Sequence, residues 1–132
     1  MFGFGKKKDK APKPEAAAEA VLTEERREEL LRTAAGKREE AAGASGEPQA
    51  KLYEEAGLAL HELGDADGAI EAFEQSLQAK KSLGPGYKTL LKLYNQKRAR
   101  AAQQNDGDAL QLYMRKIDGL MQISKDVTRG VR

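Results

Sequence analysis

The chain has 132 residues, 39% apolar and 33% charged, with a formal net charge of +2, which suits one domain with a modest core. It holds no Cys and a single His, which excludes a disulfide frame, a thiol nucleophile and a thiolate or multi-histidine metal centre. The opening MFGFGKKKDK has no apolar run of signal-peptide length and no stretch is apolar enough to span a bilayer, so a cytoplasmic protein is expected.

Residues 1–22 read as a disordered tail. Five Lys and two Pro fall in the first fourteen positions and EAAAEA follows, too little apolar surface to offset the entropy of ordering. A helix is predicted over 24–42, with Thr23 as N-cap and Glu24 and Glu25 in its first turn. Leu22, Leu30, Leu31, Ala34, Ala35 and Ala41 or Ala42 form a thin apolar stripe on it. GASGEP at 43–48 breaks the helix, so residues 23–46 are an N-terminal helix and linker.

A second helix is predicted over 48–63, where Leu52, Tyr53, Ala56, Leu60 and Leu63 share one face. Gly57, in its middle, costs about 1 kcal/mol relative to Ala and makes sense where another helix packs against the backbone. Gly64-Asp65 ends the helix, because Gly accepts the left-handed conformation. A third helix over 66–82 turns Ala69, Ile70, Phe73 and Leu77 inward, with Ser76 small enough for close approach. After Leu83-Gly84-Pro85-Gly86, a fourth over 85–104 turns in Tyr87, Leu90, Leu91, Tyr94 and Ala101. Asn105-Asp106-Gly107 is a turn. A fifth helix over 108–125 carries Ala109, Leu112, Tyr113, Ile117, Leu120, Met121 and Ser124 as its stripe, and SKDVTRGVR trails off as a basic tail, with residues 129–132 outside the domain. No segment alternates as a half-buried strand does, so the fold class is all-α, with about five helices.

Residues 50–83, AKLYEEAGLALHELGDADGAIEAFEQSLQAKKSL, span 34 positions, and Tyr53 and Leu60 recur 34 positions later as Tyr87 and Tyr94. A period of that length signals stacked helical hairpins. The pattern resembles the tetratricopeptide repeat (TPR), with Tyr53 at its aromatic position, Gly57 where its helices cross, Leu60 late in the first helix, Gly64-Asp65 at the turn, and Ala69 and Phe73 in the second helix. Ser76 stands in place of its customary Ala and Lys81 in place of Pro. In a looser second copy Tyr87, Leu90, Tyr94, Ala109 and Tyr113 fit, while Leu91 and Lys116 replace small residues. Ala69 and Ala109 are 40 positions apart, which makes the fourth helix about six residues longer than that pattern. The resemblance covers residues 47–128, extends to small bacterial TPR proteins, and brings no biochemical activity with it. It implies a right-handed helical-hairpin solenoid that binds other proteins, with Tyr53, Gly57, Leu60, Ala69, Phe73, Tyr87, Tyr94, Ala109 and Tyr113 as scaffold. Since about three repeats are normally needed, the 24–42 helix caps the Tyr53 face or the protein dimerises, and the fifth helix is the C-terminal cap.

In such solenoids the first helices of the hairpins line a concave groove. By register, Glu54, Leu58, His61 and Glu62 line it from the first repeat, and Lys88, Lys92, Asn95 and Gln96 from the second. Lys88, Lys92 and Asn95 share one helix face and suit an acidic peptide or a C-terminal carboxylate. The carboxylate-clamping TPR proteins have Lys and Asn where this chain has Glu54 and Leu58, so their specific clamp is not expected.

Charge is sorted along the chain. Glu47 to Glu74 holds eight acidic residues and one basic one, Lys51; Gln75 to Asn105 holds seven basic residues and no acidic one. Two readings stand: adjacent helices attract across the boundary, or the opposed blocks drive binding of a charged partner or homo-oligomerisation. Phe2 and Phe4 beside Lys6, Lys7 and Lys8 suit a weak contact with an anionic membrane, or simply a solubilising tail. Tyr87 and Tyr94 fall on the packed face, so the basic block has no stacking platform and no specific nucleic-acid binding is expected. No catalytic nucleophile–base pair, paired acids or phosphate loop can be assembled, and no metal or cofactor is expected. The expected function is a protein-interaction adaptor, with a peripheral membrane module or a self-assembling protein as alternatives.

Overall fold

In the computed structural model, residues 22–130 are described. They form five helices: α1 (Glu24–Ala42), α2 (Gly46–Glu62), α3 (Ala66–Ala79), α4 (Pro85–Gln103) and α5 (Gly107–Arg129), with no strand among the described residues. The chain is all-α, as its periodicity predicts.

Local chemistry sets most of the boundaries. Thr23 Oγ1 accepts the Arg26 N–H at 3.0 Å and starts α1. Two interhelix turns are built the same way. Gly64 (φ 84°) and Asn105 (φ 57°) take the left-handed conformation, and the next residue, Asp65 or Asp106, caps the following helix by accepting the N–H of Gly68 or Ala109. Pro85 opens α4, where its missing N–H costs nothing.

Contacts between neighbours show successive helices running antiparallel. Arg26 at the start of α1 meets Glu62 at the end of α2, while Gln49 donates to the Ala41 carbonyl at the other end. Ser76 of α3 donates its Oγ to Ala50 O of α2 at 2.7 Å, Lys97 late in α4 reaches Asp67 early in α3, and the Tyr87 hydroxyl of α4 donates to Leu120 O of α5 at 3.0 Å. α1, α3 and α5 therefore point one way and α2 and α4 the other.

α3 is the most enclosed helix: Ala69, Ile70, Ala72, Phe73, Ser76 and Leu77 are all buried. The Phe73 ring lies against the backbone of Gly57 and near Gly86, so one aromatic fills the junction of α2, α3 and α4. That is the close approach Gly57 foretells, made by a side chain rather than by a second backbone.

Five details depart from the sequence-based expectation. α3 stops at Ala79 because Lys80 swings to an extended conformation (φ −160°, ψ 125°). α5 continues to Arg129, four residues past the expected end, held by a Lys81–Asp126 ion pair at 2.7 Å and stopped by Gly130 in the left-handed region (φ 80°). On α5 only Leu120 is fully buried; Tyr113, Ile117 and Ile123 pack partly, whereas Leu112 and Met121 are exposed, because among the described residues other helices cover only one side of α5. On α4, Leu93 is buried while Leu91 packs only at the margin. On α1, Leu30, Ala34 and Ala41 face inward but Leu31 and Ala35 are exposed, since a single helix, α2, takes up most of its contact surface.

Candidate interaction surfaces

The polar residues expected to line a groove on α2 and α4 divide into two groups. Glu54 is half-buried, and its Oε2 accepts the Gly86 N–H in the first turn of α4 at 2.7 Å. A carboxylate at a helix N-terminus satisfies an orphan donor and complements the dipole, so Glu54 works as an interhelix cap. Glu62 forms a forked contact with Arg26 of α1, with Nε to Oε2 at 3.1 Å and Nη2 to Oε1 at 3.1 Å. These two acids are engaged by the fold itself.

The others remain at the surface. Leu58 and Lys88, Lys92, Asn95 and Gln96 are exposed, and His61 is half-buried. Asn95 donates from Nδ2 to Leu91 O at 3.1 Å, one turn back along its own helix. Phe2, Phe4, Lys6, Lys7 and Lys8 lie outside the described residues.

The acidic block is met by cations from both sides. α1 supplies Arg26 to Glu62, Lys37 to Glu55 at 3.1 Å and Arg38 to Glu71 at 3.4 Å. α4 and α5 supply Lys97 to Asp67 at 2.6 Å and Lys116 to Glu74 at 2.9 Å. Sorted charge along the chain thus becomes paired charge between helices. Most of these groups are well exposed, so each pair contributes about 0–1 kcal/mol.

One cluster had only a faint mark in the sequence. Glu74 of α3 accepts both the Tyr94 hydroxyl of α4 and Lys116 Nζ of α5. The ammonium also sits 5.7 Å from the centre of the Tyr94 ring, whose own neighbour is the Tyr113 ring at 6.1 Å. Burial, then the hydrogen bond to Glu74, pushes the Tyr94 phenol far above its usual range. Lys116, where a small residue was expected, was the only signal for this cluster. Ser76 and Lys81, the two departures within the first repeat, likewise hold partners on neighbouring helices, Ala50 O and Asp126.

Two clefts flank the connection between α3 and α4. One, of about 740 Å³, has Leu77, Ile123 and Val127 as its apolar lining and Lys80 and Lys81 at its edge. The other, of about 240 Å³, is polar, with Glu47, Lys51, Glu54, Lys80 and Ser82. Among the described residues no group of His, Cys, Asp or Glu is placed to hold a metal, and no helix is long and apolar enough to cross a membrane.

No known protein family, curated protein or solved structure matches the chain.

Proposed function

We propose that the protein is a small interaction adaptor, a TPR-like right-handed solenoid of helical hairpins that holds an acidic peptide segment of another protein on the face of α4. The observation that carries this reading is the row of Lys88, Lys92 and Asn95, exposed at four- and three-residue spacing on one side of α4, while the residues of the opposite side, Tyr87, Leu90 and Tyr94, are buried. Leu58 of the parallel helix α2 adds an exposed apolar side chain, 37% accessible. Two parallel first helices with such faces suit a short extended or helical segment, recognised by charge-assisted hydrogen bonds at its carboxylates. The two like-built turns at Gly64-Asp65 and Asn105-Asp106 support the repeat reading.

The test is affinity capture with the paired substitution Lys88→Glu and Lys92→Glu. The partner set should be lost while the helical circular dichroism stays unchanged. An unchanged partner set would remove this face from consideration.

A further inference from the structure

The connection between α3 and α4 has a feature that the groove reading leaves unused. From Lys80 (φ −160°, ψ 125°) to Gly84 (φ −80°, ψ −161°) the ends of the connection are extended, and residues 81–83 belong to no helix or turn. Among the described residues, neither the N–H nor the C=O groups of Lys81, Ser82 and Leu83 have a hydrogen-bond partner. The segment is anchored nonetheless. Lys81 is paired with Asp126 of α5, Leu83 packs against the core, and Glu54 fixes Gly86 just beyond. A held backbone, extended at both ends and with open donors and acceptors between them, is what an incoming extended chain pairs with.

Its two sides differ in chemistry. Successive side chains of an extended chain point to opposite sides, and here Lys81 lines the apolar cleft with Leu77, Ile123 and Val127, whereas Ser82 lines the polar one; Lys80, at the turn out of α3, edges both. The apolar cleft, about 740 Å³, is large enough for two aliphatic side chains. Lys80 and Lys81 stand over it; Lys81 is paired with Asp126, while Lys80 reaches the rim where Glu47 and Glu54, the latter engaged by the Gly86 N–H, line the polar cleft.

We infer that residues 80–83 form a docking edge for an extended acidic segment of a partner protein, which pairs with the backbone of Lys81–Leu83, sets alternate apolar side chains against Leu77, Ile123 and Val127, and turns its carboxylates towards Lys80. This surface is separate from the Lys88–Lys92 face, so the two assignments stand or fall independently.

The experiment titrates the isotope-labelled full chain with an acetyl-Glu-Leu-Glu-Val-Glu-amide peptide and follows backbone amide resonances. The largest shifts are expected at 81–83 and 123–127, with affinity falling at least tenfold for Lys80→Glu, about 1.4 kcal/mol, and for a peptide N-methylated at its central residue. The N-methyl arm needs no protein variant, so it reads backbone pairing free of any folding defect. Lys88→Glu with Lys92→Glu should leave the affinity within about twofold, well under the 1.4 kcal/mol of a decade. The assignment is overturned by shifts centred on α4, by equal binding of the N-methylated peptide, by equal binding of a Lys-for-Glu control peptide, or by no shifts at millimolar peptide. A single-stranded oligonucleotide that produces the same shifts at physiological salt would overturn it in favour of a nonspecific polyanion site.

Discussion

Phe73 is the residue on which three helices meet, and the two glycines beside it explain why. A Cβ built on Gly57 would lie 2.6 Å from Phe73 Cε1 and 2.7 Å from Cδ1, well inside contact distance. Phe73 is fully buried, and its ring is also close to Gly86. Gly57→Ala therefore sets a gain in helix propensity of about 1 kcal/mol against overpacking of about 1–3 kcal/mol. The steric term wins, because the clash is with the flank of a fixed ring rather than with the end of a flexible chain. Urea unfolding of Gly57→Ala should show a lower midpoint, and adding Phe73→Leu should recover part of the loss through a non-additive cycle. A midpoint equal to or above the parent's would show that the ring relocates freely. Glu54 offers a second check at this scale. As an interhelix cap it contributes about 0.5–2 kcal/mol, so Glu54→Ala should lower stability, whereas Glu54→Gln, which keeps an acceptor for the Gly86 N–H, should lower it less. A residue that served only a partner would leave stability unmoved in both variants.

Individual helices are held in register by polar groups that reach across from the next element. Glu74, Tyr94 and Lys116 tie α3, α4 and α5 together, and Glu74 accepts from both partners. A double-mutant cycle of Glu74→Gln and Lys116→Met should give a coupling near 1 kcal/mol, at the upper end for partly exposed pairs; additivity would mean that the pair only decorates the surface. Tyr94 adds a pH signature. Its phenol is raised in the folded state, so the stability it contributes is complete below its ordinary value of 10.0 and is lost as pH rises beyond that, when the unfolded chain ionises and the folded one does not. The alkaline fall in the unfolding midpoint should be shallower in Tyr94→Phe. The starts of α1, α3 and α4 were legible in the sequence because caps and apolar spacing are local signals: Thr23, Gly64-Asp65 and Pro85 act within one turn of themselves. The end of α5 was not legible, because Asp126 is paired with Lys81, 45 positions away in the sequence. For the same reason the register that placed Glu54 and Glu62 at a groove could not show that each had a partner within the molecule, on α4 and α1.

Across the whole molecule the acidic centre, α2 and α3, lies between basic groups of α1 on one side and of α4 and α5 on the other. The arrangement uses charge for internal cohesion, which leaves less of it for head-to-tail association. It also makes acid the condition in which the fold is weakest. Lys97 holds the Asp67 carboxyl below its ordinary value of 3.8, first by hydrogen bonding and then by Coulomb attraction. Lys81, followed by Gln122, does the same for Asp126. A carboxyl with a lowered folded-state pKa stabilises the fold at pH above its unfolded value, and that contribution disappears as pH falls through the folded one. The loss should therefore begin near pH 4 and deepen below it. Protonation of the 21 carboxylates also exposes the 23 Lys and Arg charges to one another, so self-repulsion adds in the same direction. Urea midpoints measured from pH 7 to pH 2 should be level down to about pH 4 and then drop. Asp126→Asn should be less stable than the parent at pH 7 and converge with it at pH 2, because the parent's Asp126 has by then become neutral as well. If the gap between the two persists at pH 2, the Lys81–Asp126 contact acts through packing at the end of α5 and not through charge.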